Sequence, residues 1–330
     1  MKDLTLLSNF VKNLNISMSL KLIFFGTPDF AVHSLNEIYK SDFIIECVVT
    51  NPDKKSGRGR KITESGVKNF CKKKNIKTLQ PESLSDNEFV SKLKLFKADL
   101  FVVVAFKKLP KSVWEIPQLG TINLHASILP NYRGAAPINW VIIDNEKETG
   151  ITTFYINEKI DCGRIILIKK IKIDKLETFD SLENKMIFLS KRIIISTLYE
   201  IKKGNNGYEQ VYKKNLSLAP KLNKENTRID WSAPLDKIDS KIRGLSSYPG
   251  AWTKLIGDNK IIIFKIFRAS VDFFNNQSNS KNLILLKDKI IISHSEGNLI
   301  CHEIQIPNKK RMKSKEILNG NHLKSFFRVK

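Results

Sequence analysis

Two polar side chains stand two residues apart at the end of an apolar run, Asn123 and His125 in Thr121-Ile-Asn123-Leu-His125. Residues i and i+2 of a strand share a face, so an amide donor and a titratable imidazole would project to the same side. At the carboxyl end of a strand in an open α/β sheet, where such folds bind ligands, the pair suits a developing oxyanion on a carbonyl carbon. Taken singly, neither is informative, because a strand-end histidine is commonly a satisfied structural residue and a lone Asn carries no signal. A third group is needed to orient the imidazole or move protons, and Asp161 in Ile160-Asp161-Cys162-Gly163 offers one. An Asp in a turn before Gly is also ordinary punctuation. The chain has no GxSxG elbow and no HExxH pair, so the two commonest hydrolase signatures are absent. Gly26-Thr-Pro-Asp29 sits where a dinucleotide fold keeps its glycine fingerprint, but only one glycine is present, which argues against hydride chemistry on a nicotinamide.

The elements around these residues follow an alternating pattern. Leu20 to Phe25 is a short apolar run that stops at Gly26, and Ala31, Val32, Leu35 and Ile38 follow at helical spacing. Residues 43–49 and 100–105 read as further strands, and 67–74 and 89–96 as helices. Strands alternating with helices predict a mostly parallel sheet. Residues 121–125, 150–156 and 164–173 read as later strands, and 178–203 as one long amphipathic helix with Thr178 as N-cap and Gly204 as stop. Residues 205–225 carry few apolar side chains and read as a linker, so 18–204 forms one domain and 226–330 a second. In the second, residues 260–267, 283–286, 290–293 and 299–306 are strand-like and separated by polar clusters, which predicts a small β-barrel; 275–282 reads as a surface loop.

The chain of 330 residues, 42% hydrophobic, is long enough to bury two cores. Its Lys and Arg number 56 against 33 Asp and Glu, a net charge of +23 that points to a polyanionic partner, although biased codon usage also produces Lys-rich chains. Position separates the two. Between Asn51 and Lys77 stand ten basic residues against Asp53 and Glu64, among them Lys54, Lys55, Arg58, Arg60 and Lys61. Lys72 to Lys74 read as a solvated helix end, whereas Gly57 and Gly59 give the 51–61 loop freedom while Arg58 and Arg60 supply planar donors for phosphates. A second basic tract is Lys309, Lys310, Arg311, Lys313 and Lys315. The four cysteines are scattered without a CxxC pair, which fits a reducing compartment and argues against a thiolate zinc site. Polar residues interrupt Leu4 to Val11 before a signal-peptide or membrane-length run builds. Residues 1–17, ahead of Met18, read as an extension or a mis-called start, with a transit peptide as the alternative.

The run Asn123-Leu-His125-Ala-Ser127-Ile-Leu-Pro130-Asn-Tyr-Arg133-Gly-Ala-Ala-Pro137, with Asp161-Cys-Gly163 downstream, resembles the signature of the 10-formyltetrahydrofolate-dependent formyltransferases. Gly26-Thr-Pro-Asp-Phe30, the 51–61 loop, Thr227-Arg-Ile-Asp230-Trp231 and Tyr248-Pro-Gly-Ala-Trp252 extend the resemblance from about residue 20 to the C-terminus, and are similar to the branch that formylates methionine on initiator tRNA. The resemblance implies a Rossmann-like formyltransferase domain followed by an OB-like C-terminal barrel that binds tRNA. It implies Asn123, His125 and Asp161 as catalytic, Ser127, Ile128, Leu129 and Pro130 as folate-binding, and Arg58, Arg60 and Lys61 as tRNA-binding. The expected formyl donor is 10-formyltetrahydrofolate, with no metal, and the expected state is a cytoplasmic monomer without membrane contact. Ile128 replaces the family's Leu, and Phe106-Lys107 replaces a common Tyr-Gly, so Phe106 is assigned no role. The rival readings are sister formyltransferases acting on amino sugar nucleotides or glycinamide ribonucleotide, a folate deformylase, and a catalytically dead RNA-binding module.

Overall fold

The computed structural model describes residues 19–56, 61–212, 214–257, 260–274, 282–320, 323 and 327–330. The expected extension at 1–17, residues 58 and 60 of the basic loop, and most of the 275–282 loop lie outside them. Two compact units result. The first holds the described residues up to Arg133 with Gly150–Lys170 and Lys185–Leu216, and the second holds Gly134–Thr149, Ile171–Asn184 and the described residues from Ser217.

Leu100–Val104 is buried at all five positions, as a central parallel strand covered on both faces requires. It anchors a seven-stranded sheet ordered Ile165–Lys172, Glu148–Tyr155, Thr121–His125, Leu100–Val104, Lys21–Gly26, Ile44–Val49 and Thr78–Leu79. The strand Lys21–Gly26 runs parallel to both Ile44–Val49 and Leu100–Val104, and Thr121–His125 runs parallel to Leu100–Val104 but antiparallel to Glu148–Tyr155. The order reverses direction beside Lys21–Gly26, which places a crevice at the carboxyl ends of the central strands. Ile23, Phe25, Phe101 and Val103 pack one face with Phe89, Leu93 and Val113 from flanking helices. Each such side chain contributes about 1.5–3 kcal/mol relative to exposure. Local chemistry sets the helix ends. The Ser65 hydroxyl accepts from Lys68 N to start Gly66–Lys74, and the Asp86 carboxylate accepts from Glu88 N to start Asn87–Leu95. The helix Phe179–Lys202 begins after Thr178, whose hydroxyl accepts from Ser181 N at 3.3 Å, and Gly204 follows it with φ +88°. The expected mostly parallel α/β sheet is present, and its predicted strands agree with the observed ones to within about two residues.

The second unit contains an antiparallel sheet ordered Leu283–Leu285, Ile290–His294, Gly297–Gln305, Lys260–Phe273, Ala251–Gly257 and Arg328–Val329, with Met312–Lys313 beside Gly297–Gln305. A bridge between Asn282 and Arg328 joins the two edges, so the sheet is a nearly closed barrel. Its interior is filled by Trp231, Leu255, Phe264, Ile266, Ile292, Leu299 and Ile304. Several elements differ from the expectation, the two longest being a strand and a helix. The strand Ala251–Gly257 was hidden behind the turn signal Tyr248-Pro249-Gly250, and the helix Leu235–Gly244 carries its buried Leu235, Ile238 and Ile242 among seven mostly polar residues. The strand Lys260–Phe273 is longer than expected because register shifts around Arg268 let it bend while staying paired. Among the described residues, no helix is long and apolar enough to cross a membrane.

Candidate active site

Asn123 and His125 lie on the last three residues of the strand Thr121–His125, and their neighbours fix where they point. Asn123 sits beside Val103 on one side and Phe154 on the other, and His125 beside Thr152. His125 is 6% exposed, yet both ring nitrogens face polar groups. Its Nε2 lies 2.8 Å from the Tyr132 carbonyl oxygen, and its Nδ1 lies 3.9 Å from Asp161 Oδ2. A carbonyl only accepts, so the proton sits on Nε2 and the Nδ1 lone pair faces the carboxylate. At 3.9 Å this is not a direct hydrogen bond, but it is ion-pair distance once Nδ1 takes up a proton. Among the described residues the Asn123 carboxamide has no hydrogen-bond partner, so its N–H donors remain free on the half-buried face.

The chain after His125 turns sharply and is pinned by main-chain bonds. The Thr152 hydroxyl donates to Ser127 O at 2.7 Å and accepts from Leu129 N at 3.1 Å, and the Ser127 hydroxyl donates to Asn131 O at 2.7 Å. Ser127 and Leu129 are therefore buried in the turn, while Ile128 and Pro130 are the half-exposed members that a planar ligand could meet. Phe106 packs its ring against Phe25, 5.7 Å between centroids, as a core contact.

Asp161 reaches His125 from a separate turn, with φ +53°. Gly163 makes that turn possible, because a Cβ there would stand 1.6 Å from the Tyr155 carbonyl oxygen. Gly163→Ala is expected to destabilise the protein at the upper end of the usual overpacking range, about 1–3 kcal/mol, read as a lowered Tm.

Of the three residues predicted to contact tRNA, Arg58 and Arg60 lie outside the described residues, and Lys61 opens the strand Lys61–Thr63. That strand pairs antiparallel with Lys54–Ser56, so the two described ends of the 51–61 loop lie side by side. Its base is fastened: Asp53 accepts from Lys68 Nζ at 2.5 Å and from Gln80 Nε2 at 2.9 Å, and Gln80 also donates to Asn51 O at 2.8 Å. The Lys68 and Gln80 donors hold the Asp53 carboxyl below its usual range. In the second basic tract, Lys309, Lys310, Lys313 and Lys315 are exposed, whereas Arg311 pairs with Glu303 and stacks on Phe267 at 4.7 Å. A cavity of about 1550 Å³ in the second unit is lined by Arg243, Arg268 and Arg311 together with Asp174, Asp239 and Glu303. None of Asn123, His125 and Asp161 lines it, and its mixed charge does not single out a phosphate. Among the described residues, no group of three or more His, Cys, Asp and Glu is placed to hold a metal ion.

A polar constellation at the carboxyl edge of such a sheet, followed by a barrel, defines a class. The formyl transferase profile matches residues 20–198 and the formyl transferase, C-terminal domain profile matches residues 221–322. The chain belongs to the formyl transferase family. Among its relatives, the methionyl-tRNA formyltransferase of Flavobacterium johnsoniae is 45% identical over 302 residues, 91% of this chain and 96% of that protein. The methionyl-tRNA formyltransferase of Bacteroides thetaiotaomicron is 38% identical over 318 residues, 94% and 98% of the two chains. Solved structures share the fold at lower identity. HypX from Aquifex aeolicus in complex with tetrahydrofolic acid superposes with a TM-score of 0.61 at 17% identity, over 91% of this chain, which spans only 47% of that one. The N-formyltransferase from Helicobacter canadensis with folinic acid and dTDP-3-aminofucose gives 0.60 at 20% identity, over 86% and 98% of the chains.

Proposed function

We propose that this chain transfers the formyl group of 10-formyltetrahydrofolate to the α-amino group of methionine esterified to initiator tRNA, and that Asn123, His125 and Asp161 carry the reaction. The supporting observation is the arrangement of an unpartnered amide, a two-sided imidazole and a carboxylate at the sheet edge, in a chain that matches tRNA formyltransferases over nearly its full length. The amine attacks the formyl carbon and forms a tetrahedral intermediate, whose oxyanion the Asn123 amide stabilises. His125 Nδ1 takes the proton that the attacking nitrogen loses, and the imidazolium is held between the Tyr132 carbonyl and the Asp161 carboxylate. Collapse breaks the bond from carbon to N10, and His125 returns the proton to N10, so formylmethionyl-tRNA and tetrahydrofolate leave. Ser127 to Pro130 shape the folate side, where Ile128 and Pro130 offer apolar contact. The 18–204 domain holds this chemistry, residues 205–225 connect it, and the 226–330 barrel with its exposed lysines binds the tRNA. In this reading the enzyme works as a cytoplasmic monomer.

The test is an assay with labelled 10-formyltetrahydrofolate offered charged initiator tRNA, charged elongator tRNA, an amino sugar nucleotide and glycinamide ribonucleotide. Formyl label on initiator methionyl-tRNA is the expected result. Label on a sugar nucleotide or the ribonucleotide overturns the reading in favour of a sister enzyme, and free formate indicates a deformylase.

The basic loop at 51–61 gives a separate prediction. Arg58→Ala is expected to raise the KM for tRNA and flatten the dependence of log affinity on log salt by about one unit, because one phosphate contact and its counterions are lost. Folate binding is expected to be unchanged. A salt series with wild type and variant checks it, and an identical slope in both makes the loop a solvated feature.

A further inference from the structure

We propose that Gln210 is a positioning residue for the transfer, tying together the two groups that face the His125 ring; this rests on the reading of Asn123, His125 and Asp161 as the site. Gln210 comes from the polar stretch after the long helix and is 5% exposed. Both polar atoms of its side chain are engaged. The Nε2 donates to Asp161 O at 3.0 Å and Gly163 O at 2.8 Å, and the Oε1 accepts from Arg133 Nη2 at 2.5 Å. The two carbonyls belong to a turn outside any strand or helix, with a positive φ at Asp161, so the Gln210 amide supplies bonds that secondary structure would otherwise provide.

Arg133 closes the circuit. It follows Tyr132, whose carbonyl receives His125 Nε2–H, and its guanidinium lies over the Tyr212 ring at 4.7 Å. His125 thus meets Tyr132 on one side and Asp161 on the other, and Arg133 with Gln210 joins those two segments behind it. Loss of this link would let the Asp161 turn drift while the imidazole stayed on Tyr132. A displacement of about 1 Å in such a group costs on the order of a hundredfold in rate.

The experiment compares Gln210→Ala, Gln210→Glu, Arg133→Met, Asp161→Asn and the Gln210→Ala/Asp161→Asn double variant. Gln210→Glu keeps an acceptor for Arg133 but sets an oxygen against the two turn carbonyls. Both Gln210 variants are expected to lose about ten- to hundredfold in kcat, with both KM values within about twofold of wild type and a pH profile displaced toward that of Asp161→Asn. The double variant is expected to be no slower than Asp161→Asn alone, within about threefold. A folded Gln210→Glu with wild-type kcat and pH profile, beside an inactive Asp161→Asn, overturns the proposal and leaves the site intact. A lowered Tm with unchanged kcat per folded molecule overturns it equally. If Asp161→Asn itself keeps full activity, the reading of the site has failed and the proposal with it. Should either Gln210 variant unfold, Arg133→Met decides: reduced kcat with the same pH displacement supports the link, and unchanged kcat removes it.

Discussion

Asn123→Ala is expected to lower kcat by about 10²- to 10³-fold while the KM for folate and the Tm change little, because an oxyanion donor acts mainly after the carbonyl has been attacked. The geometry leads to this expectation from two sides. The Asn123 main chain is held by the central sheet between Val103 and Phe154, so removing the carboxamide leaves the strand pairing untouched. Its side chain makes no hydrogen bond among the described residues, so no internal partner is orphaned by the change. A buried amide serving the fold would behave in the opposite way, with Tm falling and kcat per folded molecule holding. Rapid-quench formylation of charged initiator tRNA, with thermal unfolding measured in parallel, distinguishes the two. A variant with near-wild-type kcat would move the oxyanion donor elsewhere in the site.

Much of this geometry follows from local sequence pattern. The strand Thr121–His125 was legible to the residue, because its apolar residues alternate with Asn123 and His125 and the polar run after it ends the strand. The long helix Phe179–Lys202, with Thr178 before it and Gly204 after it, and the buried run Leu100–Val104 were equally plain, since a cap, a stop and continuous Val and Phe are written in neighbouring residues. Asp161 could be found only because a family resemblance pointed to it; by itself it was a turn residue. Gln210, Tyr132 and Thr152 were invisible, since their roles arise from main-chain carbonyls and hydroxyls that meet over separations of 7 to 49 residues. A glutamine in a polar stretch carries no periodicity, and a carbonyl acceptor has no sequence signature. The helix Leu235–Gly244 and the strand Ala251–Gly257 were missed for a related reason, as each is stabilised by burial against the barrel more than by its own pattern.

His125→Ala and Asp161→Asn are each expected to reduce kcat by several orders of magnitude, and the double variant to be little worse than the more damaged single. The reason lies in which nitrogen each partner faces. Tyr132 holds the Nε2 proton, so only Nδ1 can accept one, and the charge that appears there is balanced by the carboxylate 3.9 Å away. Asp161→Asn keeps the size of the side chain and removes the negative charge, so the positive charge that develops on the ring during transfer is left unbalanced where the side chain is only 7% exposed. Once His125 is absent, the carboxylate has no imidazolium to stabilise, and removing it as well costs little more. Kinetic constants for the two single variants and the double variant, taken at one pH on the plateau of the wild-type profile, form a thermodynamic cycle whose interaction energy reports the coupling. Strict additivity would give the two residues independent duties and leave Asp161 as a group that acts on substrate without His125. Activity of Asp161→Asn comparable with that of wild type, with His125 intact, would instead remove the carboxylate from the proton transfer.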